Sequence, residues 1–419
     1  MYFDYIFLVS SFIVIFCSAV YLLAYQERKE TEKLADTSYP GVSIVVPMWN
    51  ESKTIAATLD SLITMHDTYK GLMEIIVIDD ASTDDSFSIV EDYTRKHEYI
   101  RLFMKAGEKG KSESLNQGFR VANYEIVGCV DADSYPSPQA LNHIVKEFQD
   151  PEVGAVTTKL VVNNPRNMVE WFQHIEYVYS NFILMAIDSL DAVFITRGPL
   201  SLYRKDVMMQ IGGFLPAHKT PTEDMEITFR IRKAGYKIKG SKKAKVYTSV
   251  MTTWKTLFWQ RMRWNRGTLI NFWMHRDMML DSKFGMFSMF VFPTSTLMIA
   301  MIGVIVVYLV SKTASFVFDH LAALYWTIAS GQVPDFTRAL DTFMSGSYFT
   351  TPYHLLLVLA VFIIFFLVNG FGFVESRERF RLKYFVMLIA TPFIYNPVLL
   401  FFWVSAFFLQ TTKYSVRWR

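Results

Sequence analysis

The chain contains little cysteine and little net charge, and these two shortages exclude several classes of protein. Its 419 residues include two cysteines, Cys17 and Cys129, too few for a disulfide framework or a cysteine-based metal cluster. The net charge of +3 is too small to indicate nucleic-acid binding, and no basic stripe carries a nucleic-acid motif. Internal repeats and low-complexity tracts are missing as well. So little cysteine fits a soluble segment that faces a reducing compartment.

Charged residues are also scarce within four long segments, where the apolar residues concentrate. Hydrophobic residues make up 52% of the chain and charged residues 19%, a more apolar mixture than an ordinary globular domain has. The first run, Tyr2–Tyr25, is too long for the core of a signal peptide, and Asp4 stands where such a peptide carries a basic residue. The other runs, each longer than the roughly 20 apolar residues that a spanning helix needs, are Phe284–Val310, Tyr353–Val374 and Tyr384–Gln410.

Basic residues beside these runs predict a multi-pass membrane protein whose soluble segment is cytoplasmic. Two clusters should face the cytoplasm, and a simple four-span count satisfies both: Arg28, Lys29 and Lys33 after the first run, and Arg377, Arg379, Arg381 and Lys383 between the last two. The same count leaves the basic tail outside, with Lys413, Arg417 and Arg419. A re-entrant or broken last segment, at Pro392 and Pro397, would remove this conflict, and the sequence leaves both arrangements open.

The segment between the first two runs alternates strands with helices. Its strands are continuous apolar runs without polar alternation, which predicts a doubly wound, mostly parallel sheet covered on both faces. We expect strands at Val42–Pro47, Glu74–Ile78, Ile100–Phe103 and Glu125–Val130, and helices at Glu51–Met65, Asp84–Lys96, Lys111–Val121 and after an N-cap and proline at Ser137-Pro138. The expected domains are residues 1–27, a spanning helix; 40–250, the α/β domain; 251–280, an interfacial helix; and 284–410, about three spans.

Two acidic clusters follow predicted strands, at the sheet edge where α/β domains bind ligands. Asp79-Asp80 ends one strand, and Asp131-Ala132-Asp133 follows another. Two carboxylates so close together repel unless a cation lies between them. A hard divalent ion, Mg²⁺ or Mn²⁺, suits them better than zinc, because no histidine or cysteine joins the site. Either cluster also suits a solvated turn, which is the competing interpretation.

Two further clusters can each be explained either by local structure or by a chemical role. Thr222-Glu223-Asp224 begins a predicted helix, where the threonine can cap and the acids suit the first turn. The segment Thr253–Arg276 mixes aromatic with cationic side chains, a pattern typical of a helix in the bilayer interface. Capping and surface anchoring are therefore complete alternatives to a catalytic role for these clusters.

The order of the motifs resembles the processive family 2 glycosyltransferases, the synthases of cellulose, hyaluronan, chitin and poly-N-acetylglucosamine. The match runs from about Val42 to Arg266, and the flanking spans resemble the family too. Trp49 departs from the family pattern. The matching motifs are Pro47-Met48-Trp49-Asn50-Glu51, Asp79-Asp80, Gly110-Lys111 with Leu115-Asn116, Asp131-Ala132-Asp133, Gly198-Pro199-Leu200, Thr222-Glu223-Asp224 and Gln260-Arg261-Met262-Arg263-Trp264.

The resemblance implies a GT-A-like fold and an inverting, metal-dependent transfer from a UDP-sugar, with UDP-N-acetylglucosamine as the best guess. It implies Asp224 as the general base and Asp133 as the ligand of Mg²⁺ or Mn²⁺. The donor-binding residues would be Glu51, Asp79, Asp80, Lys111, Asp131 and Arg263, and the acceptor-binding residues Gly198, Pro199, Leu200, Glu223, Gln260 and Trp264. The implied partners are a polysaccharide or lipid-linked acceptor, membrane lipids of the plasma membrane, and accessory export or small membrane subunits.

Three hypotheses remain open at this point. The first is a processive synthase that extends a β-linked polysaccharide and exports it through the membrane region. The second is a non-processive enzyme that adds one sugar to a lipid acceptor, and the Gln260–Trp264 element with several C-terminal spans favours the first over it. The third, a transporter or receptor with a degenerate transferase domain, is disfavoured by the intact acidic set.

Overall fold

The structure is a computed structural model that describes residues 2–27, 39–105, 107, 110–331, 352–376 and 382–411. The chain divides into two compact units. One consists of Met1–Val20 and Thr294–Val368, and the other consists of Tyr21–Pro293 and Asn369–Arg419. The second unit contains all of the sheet and all of the motifs.

Within the described residues the sheet has eight strands, in the order β3-β2-β1-β4-β7-β6-β8-β5. The first four strands in this order, β3, β2, β1 and β4, run parallel to one another, as the continuous apolar runs predict. Beyond β4 the sheet is mixed: β7 runs antiparallel to both neighbours, and β6 pairs in parallel with β8. The strands are β1 Val42–Met48, β2 Met73–Asp79, β3 Ile100–Met104, β4 Ile126–Cys129, β5 Ser134–Pro136, β6 Val153–Val162, β7 Ser201–Arg204 and β8 Lys237–Thr248.

Helices cover the sheet, and an apolar core lies between them and the strands. Val42, Ile44 and Val46 of β1 and Ile75 and Val77 of β2 are completely buried in this core, which explains why these strands lack polar alternation. The α-helices are α1 Tyr2–Glu27, α2 Ile55–Thr68, α3 Ser86–Thr94, α4 Lys111–Val121, α5 Ala140–Ile144, α6 Met168–Ser189, α7 Lys205–Gln210, α8 Glu223–Lys233, α9 Trp254–Met274, α10 Phe292–Ala329, α11 Pro352–Ser376, α12 Leu382–Ala390 and α13 Asn396–Thr411.

The predicted helix starts are wrong at two places, and local hydrogen bonds explain both. The predicted Glu51–Met65 helix begins at Ile55, because Asn50 has a φ of 56° and the Glu51 carbonyl accepts from the amides of Thr54 and Ile55. The proposed cap at Ser137-Pro138 is also wrong, because α5 begins at Ala140. The Ser137 amide instead donates to Lys245, which prolongs the pairing of β5 with β8.

Four helices in the described part of the chain are long and apolar enough to cross a membrane, as the sequence predicts. They are Tyr5–Glu27, Phe287–Ser315, Leu355–Ser376 and Leu382–Thr411. The last one contains a π-helical turn, Thr391–Tyr395, between α12 and α13, which is a local distortion near Pro392 within one helix of spanning length. Most of the basic residues behind the orientation prediction lie outside the described residues: Arg28, Lys29, Lys33, Arg377, Arg379, Arg381, Lys413, Arg417 and Arg419.

Helix α9 corresponds to the predicted interfacial helix, but its charges are not all at a surface. Trp259 and Trp273 are exposed at 43% and 70%, as an interfacial helix requires. Arg261, in contrast, is 3% exposed, so its predicted place among the surface cations is wrong. Helix α13 and α6 pack against the Arg261 side of α9 through a core that includes Phe172, Leu257 and Phe402.

Candidate active site

The carboxyl ends of β1, β2 and β4 place acidic residues along one edge of the sheet. These three strands are parallel neighbours, with Met48 level with Asp79 across the β1–β2 pair. Glu51 follows β1, Asp79 ends β2, and Asp131 comes two residues after β4. Parallel strands end at a common edge, so the predicted acids lie where α/β sheets bind ligands.

Asp79 and Asp80 use their carboxylates to organise the loops beside this edge. Asp79 is 2% exposed, and both of its carboxylate oxygens accept from the Ser82 amide at 3.3 Å. Asp80 accepts from the Gly110 amide at 2.8 Å and forms an ion pair with Lys105 at 3.2 Å. The turn interpretation therefore describes these two residues well, and Asp80 holds the loop that leads into α4. Lys105, whose side chain is 2% exposed, was not singled out by the sequence motifs.

Lys111, at the start of α4, connects three of the predicted site residues. Its Nζ lies 2.6 Å from Asp131 Oδ1 and 3.3 Å from Glu223 Oε1. Burial lowers the pKa of Lys111, but these two carboxylates outweigh it and hold that pKa above its ordinary value. Gly198 adjoins the same pair, because a Cβ there would lie 3.0 Å from both Asp131 Oδ2 and Lys111 Nζ. The acidic edge therefore contains a charged lysine and a close approach of the Gly198 backbone, where a Cβ would displace these side chains by a few tenths of an ångström.

Asp133 lies in a field of negative charge that a cation would relieve. Burial, Asp131 and Glu51 together raise its pKa to about 6, although Lys111 opposes the shift. Among the residues that the structure describes, no three histidine, cysteine or acidic side chains form a complete metal cage. Mg²⁺ commonly needs only one or two protein carboxylates and takes its other ligands from phosphates and water. The acidic oxygens of Asp131 and Asp133 fit an ion of that kind.

Thr222-Glu223-Asp224 begins α8 on the other side of Lys111. Thr222 occupies the N-cap position, but its side chain does not cap the helix, and the predicted cap bond is therefore absent there. Burial and the neighbouring Glu223 raise the pKa of Asp224 to about 7, against the opposing effects of Lys111 and Arg263. The Asp224 carbonyl accepts from the amide and the hydroxyl of Thr196, at 3.2 and 2.9 Å. These bonds tie the Asp224 backbone to the segment that leads into Gly198.

Helix α9 packs directly on the Thr222 turn. Asn271, which is completely buried, donates to the Thr222 carbonyl at 3.1 Å and to its Oγ1 at 3.0 Å, and accepts from Thr220 Oγ1 at 2.8 Å. One turn earlier, a Cβ on Gly267 would lie 2.1 Å from Thr222 Oγ1, so no other residue fits there without displacing that turn. Neither residue stood out in the sequence, because the contacts join positions about 50 residues apart.

The Gln260–Trp264 element lies on the same helix. Arg263 is close enough to Asp224 to lower its pKa. Gln260 Oε1 is buried and has no hydrogen-bond partner within the described ranges. Buried polar atoms without a partner are uncommon in proteins, so this oxygen is a candidate for binding a ligand. The Arg261 guanidinium lies 4.1 Å from the centre of the Trp264 ring. One face of that tryptophan is therefore covered by the protein itself.

The structure brings most of the predicted site residues together, with one correction. Lys111 contacts both Asp131 and Glu223, and Gly198 adjoins Lys111 and Asp131. Electrostatic effects join Asp133, Glu51, Asp224 and Arg263 to this group. Leu200 is completely buried in the main core, so its side chain is not available to an acceptor, and that part of the prediction is wrong. Leu200 instead anchors the backbone beyond Gly198 and Pro199, and its carbonyl accepts from Thr158 Oγ1 at 3.0 Å.

Comparison with known proteins gives a consistent result. The family described as "Glycosyltransferase like family 2" matches residues 40–267. The poly-beta-1,6-N-acetyl-D-glucosamine synthase of Staphylococcus epidermidis is 29% identical over 239 residues, which cover 56% of this chain and 57% of that protein. A probable glycosyltransferase of Bacillus subtilis, YdaM, is 30% identical over 235 residues, or 54% of this chain and 55% of that protein. The chain thus spans about half the length of the relatives it matches.

A solved structure shows the same fold. It is a mannosyltransferase from Pyrobaculum calidifontis in complex with GDP-mannose and Mn²⁺, and it superposes with a TM-score of 0.59. The match covers 90% of this chain and 100% of that protein at 21% sequence identity. The sheet and its covering helices therefore form a GT-A-like fold.

Proposed function

The chain belongs to glycosyltransferase family 2, and on that premise we propose that it transfers a sugar from a UDP-sugar to the hydroxyl of a growing polysaccharide. The proposed donor is UDP-N-acetylglucosamine, in keeping with relatives that are named poly-beta-1,6-N-acetyl-D-glucosamine synthases. The proposed product is a β-linked polymer that leaves through the membrane region. Four helices of spanning length among the described residues support a site at a membrane.

The pair of Asp224 and Lys111 is the observation that carries the proposal. Asp224, with its pKa raised to about 7, suits a general base, because a base works best when its pKa lies near the operating pH. Lys111 lies on the other side, next to Asp131 and Glu223, as a cation that can meet a diphosphate. A proton acceptor and a cation for the leaving group thus occupy one site.

The proposed reaction is a single displacement. The Asp224 carboxylate takes the proton of the acceptor hydroxyl while that oxygen forms a bond to the anomeric carbon. The bond from that carbon to the diphosphate breaks, and UDP leaves with the electron pair, which inverts an α-linked donor to a β-linked product. Lys111 and Arg263 bind the charged leaving group, and no second carboxylate is needed as an acid.

A divalent ion at Asp133, with Asp131 beside it, would neutralise diphosphate charge when bound. Asp133 has its pKa raised to about 6 by burial, Asp131 and Glu51, which indicates that this position lacks a counter-charge of its own. Glu51, Asp79 and Asp80, which lie at the ends of neighbouring strands, would form the protein side of the donor site. Asp79 and Asp80 would do so through the loops that their carboxylates hold.

The second candidate function is addition of one sugar to a lipid acceptor. The four apolar helices favour it as well, because a membrane site gives access to a lipid hydroxyl. In both functions the same base and donor site would act. The two differ in whether the product stays bound for another addition, and the buried unpartnered Gln260 Oε1 next to Trp264 supports retention of a sugar.

The test is release of nucleoside diphosphate by the purified protein: UDP from each UDP-sugar in turn, and GDP from GDP-mannose as a further donor. Release of GDP from GDP-mannose alone would reject a UDP-sugar as the donor. We expect UDP-N-acetylglucosamine to give UDP and a polymer that is not extracted together with the lipids. Asp224→Asn protein from the same preparation is the control for contaminating activity. Release of nucleotide from no donor would overturn the proposed function, and a product of one sugar on a lipid would decide for the second candidate.

A further inference from the structure

Arg261 lies between Trp264 and the last apolar segment of the chain. It is two residues removed from Arg263 in the motif, but its environment is entirely different. The side chain is 3% exposed, and its guanidinium lies over the Trp264 ring at 4.1 Å. A desolvated cation over the face of tryptophan is among the stronger contacts of this type. A sugar could therefore stack only on the opposite face of the ring.

Two side chains hold this guanidinium from the other side. Arg261 Nη2 donates to Glu176 Oε2 of α6 at 2.6 Å. The hydroxyl of Tyr395 donates to the same oxygen at 2.5 Å and lies 3.5 Å from Arg261 Nη2. One carboxylate oxygen thus receives both donors, so the positions of Arg261 and Tyr395 depend on each other.

Tyr395 reaches this position because of the π-helical turn in the last apolar segment. The turn, Thr391–Tyr395, ends at the tyrosine. The Tyr395 ring is 1% exposed and stacks on Phe172 of α6, with centroids 5.1 Å apart and planes within 9°. A π-helical turn changes the register of the side chains that follow it, and such turns occur frequently at functional sites.

The charge on Arg261 is kept in spite of its burial. Burial lowers its pKa, but Glu176 outweighs this and holds the pKa above its ordinary value. Arg261 Nε and Nη1 are buried and find no hydrogen-bond acceptor among the residues that the structure describes. The Trp264 ring is the contact that compensates their burial, because its face carries partial negative charge.

We propose that Arg261 is a positioning residue that fixes the orientation of Trp264, and that Glu176 and Tyr395 hold it in place from α6 and the last apolar segment. The geometry of the acceptor site is therefore set in part by a residue of that segment. This inference rests on the proposed function, since it takes Trp264 as the platform for the acceptor sugar.

The test compares Arg261→Gln and Tyr395→Phe, each alone and combined with Trp264→Ala, in the full-length protein with UDP-N-acetylglucosamine. We expect each single variant to shorten the polymer roughly two- to thirtyfold, the range that cation–π contacts span from exposed to desolvated sites, with the KM for the donor unchanged. In the Trp264→Ala background neither variant should shorten it further, because residues that act through one another are not additive.

The exchanged pair Arg261→Glu with Glu176→Arg separates positioning from simple stabilisation. It restores opposite charges between α6 and α9 but leaves no guanidinium on the tryptophan. We expect this double variant to be about as thermally stable as the wild-type protein, while the polymer that it makes stays short. Tyr384→Phe is the matched control, since it removes a hydroxyl from α12 of the same segment, and it should leave chain length unchanged.

Three results would overturn the inference: equal shortening with and without Trp264, recovery of chain length by the exchanged pair, or full-length polymer from Tyr395→Phe. Tyr395→Phe keeps the ring against Phe172, so it remains informative if Arg261→Gln does not fold. A wild-type protein that releases no UDP would overturn the proposed function instead, and the two failures are thereby distinguished.

Discussion

Asp224 is the residue whose environment differs most from that of an ordinary helix-capping acid. We predict that Asp224→Asn lowers the rate of transfer by roughly 100- to 10,000-fold, the usual contribution of a general base, while UDP still binds. Binding of UDP measured by calorimetry, beside the rate of UDP release, checks this.

Asp206→Asn is the matched control for Asp224. Asp206 lies in the first turn of α7 and accepts from the Val207 amide at 2.7 Å, as Asp224 accepts from the Met225 amide at 2.8 Å. If the two variants lose activity to the same small extent, Asp224 only stabilises the start of its helix and is not the base. Loss of UDP affinity in a folded Asp224→Asn protein would also contradict the assignment.

The raised pKa of Asp224 predicts how the rate depends on pH. A base must be ionised to accept a proton, and burial with Glu223 raises the pKa of Asp224 to about 7. The rate should therefore rise with pH up to about 7 and fall about tenfold for each pH unit below it. A profile of kcat/KM against pH tests this, because it reports the pKa of the free protein, and a flat profile between pH 5 and pH 8 would contradict it.

Asp133 predicts an obligatory divalent ion. Its raised pKa, about 6, reflects negative charge that a cation would compensate. Activity should disappear in excess EDTA and return with Mg²⁺ or Mn²⁺, and Asp133→Asn should lose the activity that the metal restores. Full turnover in EDTA by protein that has been purified with the chelator would show that no metal is required.

At the scale of elements, α9 contacts the turn that carries the proposed base and also carries the proposed acceptor-binding side chains. Asn271 joins α9 to the Thr222 turn by three hydrogen bonds, and Gln260 and Trp264 lie on the same helix. We predict that Asn271→Ala lowers kcat by up to about 100-fold, since displacing a catalytic group by about 1 Å costs that much. The donor KM should change less, because α9 carries Arg263 alone of the proposed donor-binding residues.

Asn142→Ala is the control for this helix contact. Asn142 is also a buried amide with three hydrogen bonds, to Thr68, Lys70 and Gln139, but it joins α5 to the end of α2. Both variants should lose stability to a similar extent, about 1–3 kcal/mol for buried groups left unpaired. Equal kcat values for the two variants would show that α9 does not position the base.

At the scale of the whole molecule, a buried ion pair joins the sheet to the last residues of α11. Lys159 of β6 and Glu375 of α11 are paired, with side chains 2% and 7% exposed, and the Tyr25 hydroxyl of α1 donates to the same carboxylate. Removing one member of a buried pair leaves an uncompensated charge. Lys159→Met should lower the free energy of unfolding by about 3–5 kcal/mol, and adding Glu375→Leu should recover much of that loss.

Thermal unfolding of the protein in detergent measures this effect. Lys237→Met is the matched control, because Lys237 pairs with Glu152 at 2.5 Å where both side chains are substantially exposed, at 39% and 63%. An exposed pair contributes about 0–1 kcal/mol. Equal shifts of the unfolding midpoint for Lys159→Met and Lys237→Met would show that the buried pair is not what holds these elements together.

The sequence by itself determined the apolar helices, the parallel half of the sheet and the acids at its edge. These features depend on the order of residues along one element: a continuous apolar run identifies a buried strand or a spanning helix, and the residue after a strand lies at the sheet edge. The predicted helix Lys111–Val121 agrees with α4 at both ends. The boundaries near Glu51 and Ser137 were wrong because loop hydrogen bonds decide them.

Only the tertiary structure decided which of these residues act on one another. Burial of Arg261 against Glu176 and Tyr395, the contact of Asn271 with Thr222, and the raised pKa of Asp224 all depend on atoms far apart in the chain. Leu200 likewise belongs to a motif in the sequence but to the core in the structure. Local patterns identify the residues that can take part in a site, whereas distance, burial and the surrounding charge determine what each of them does there.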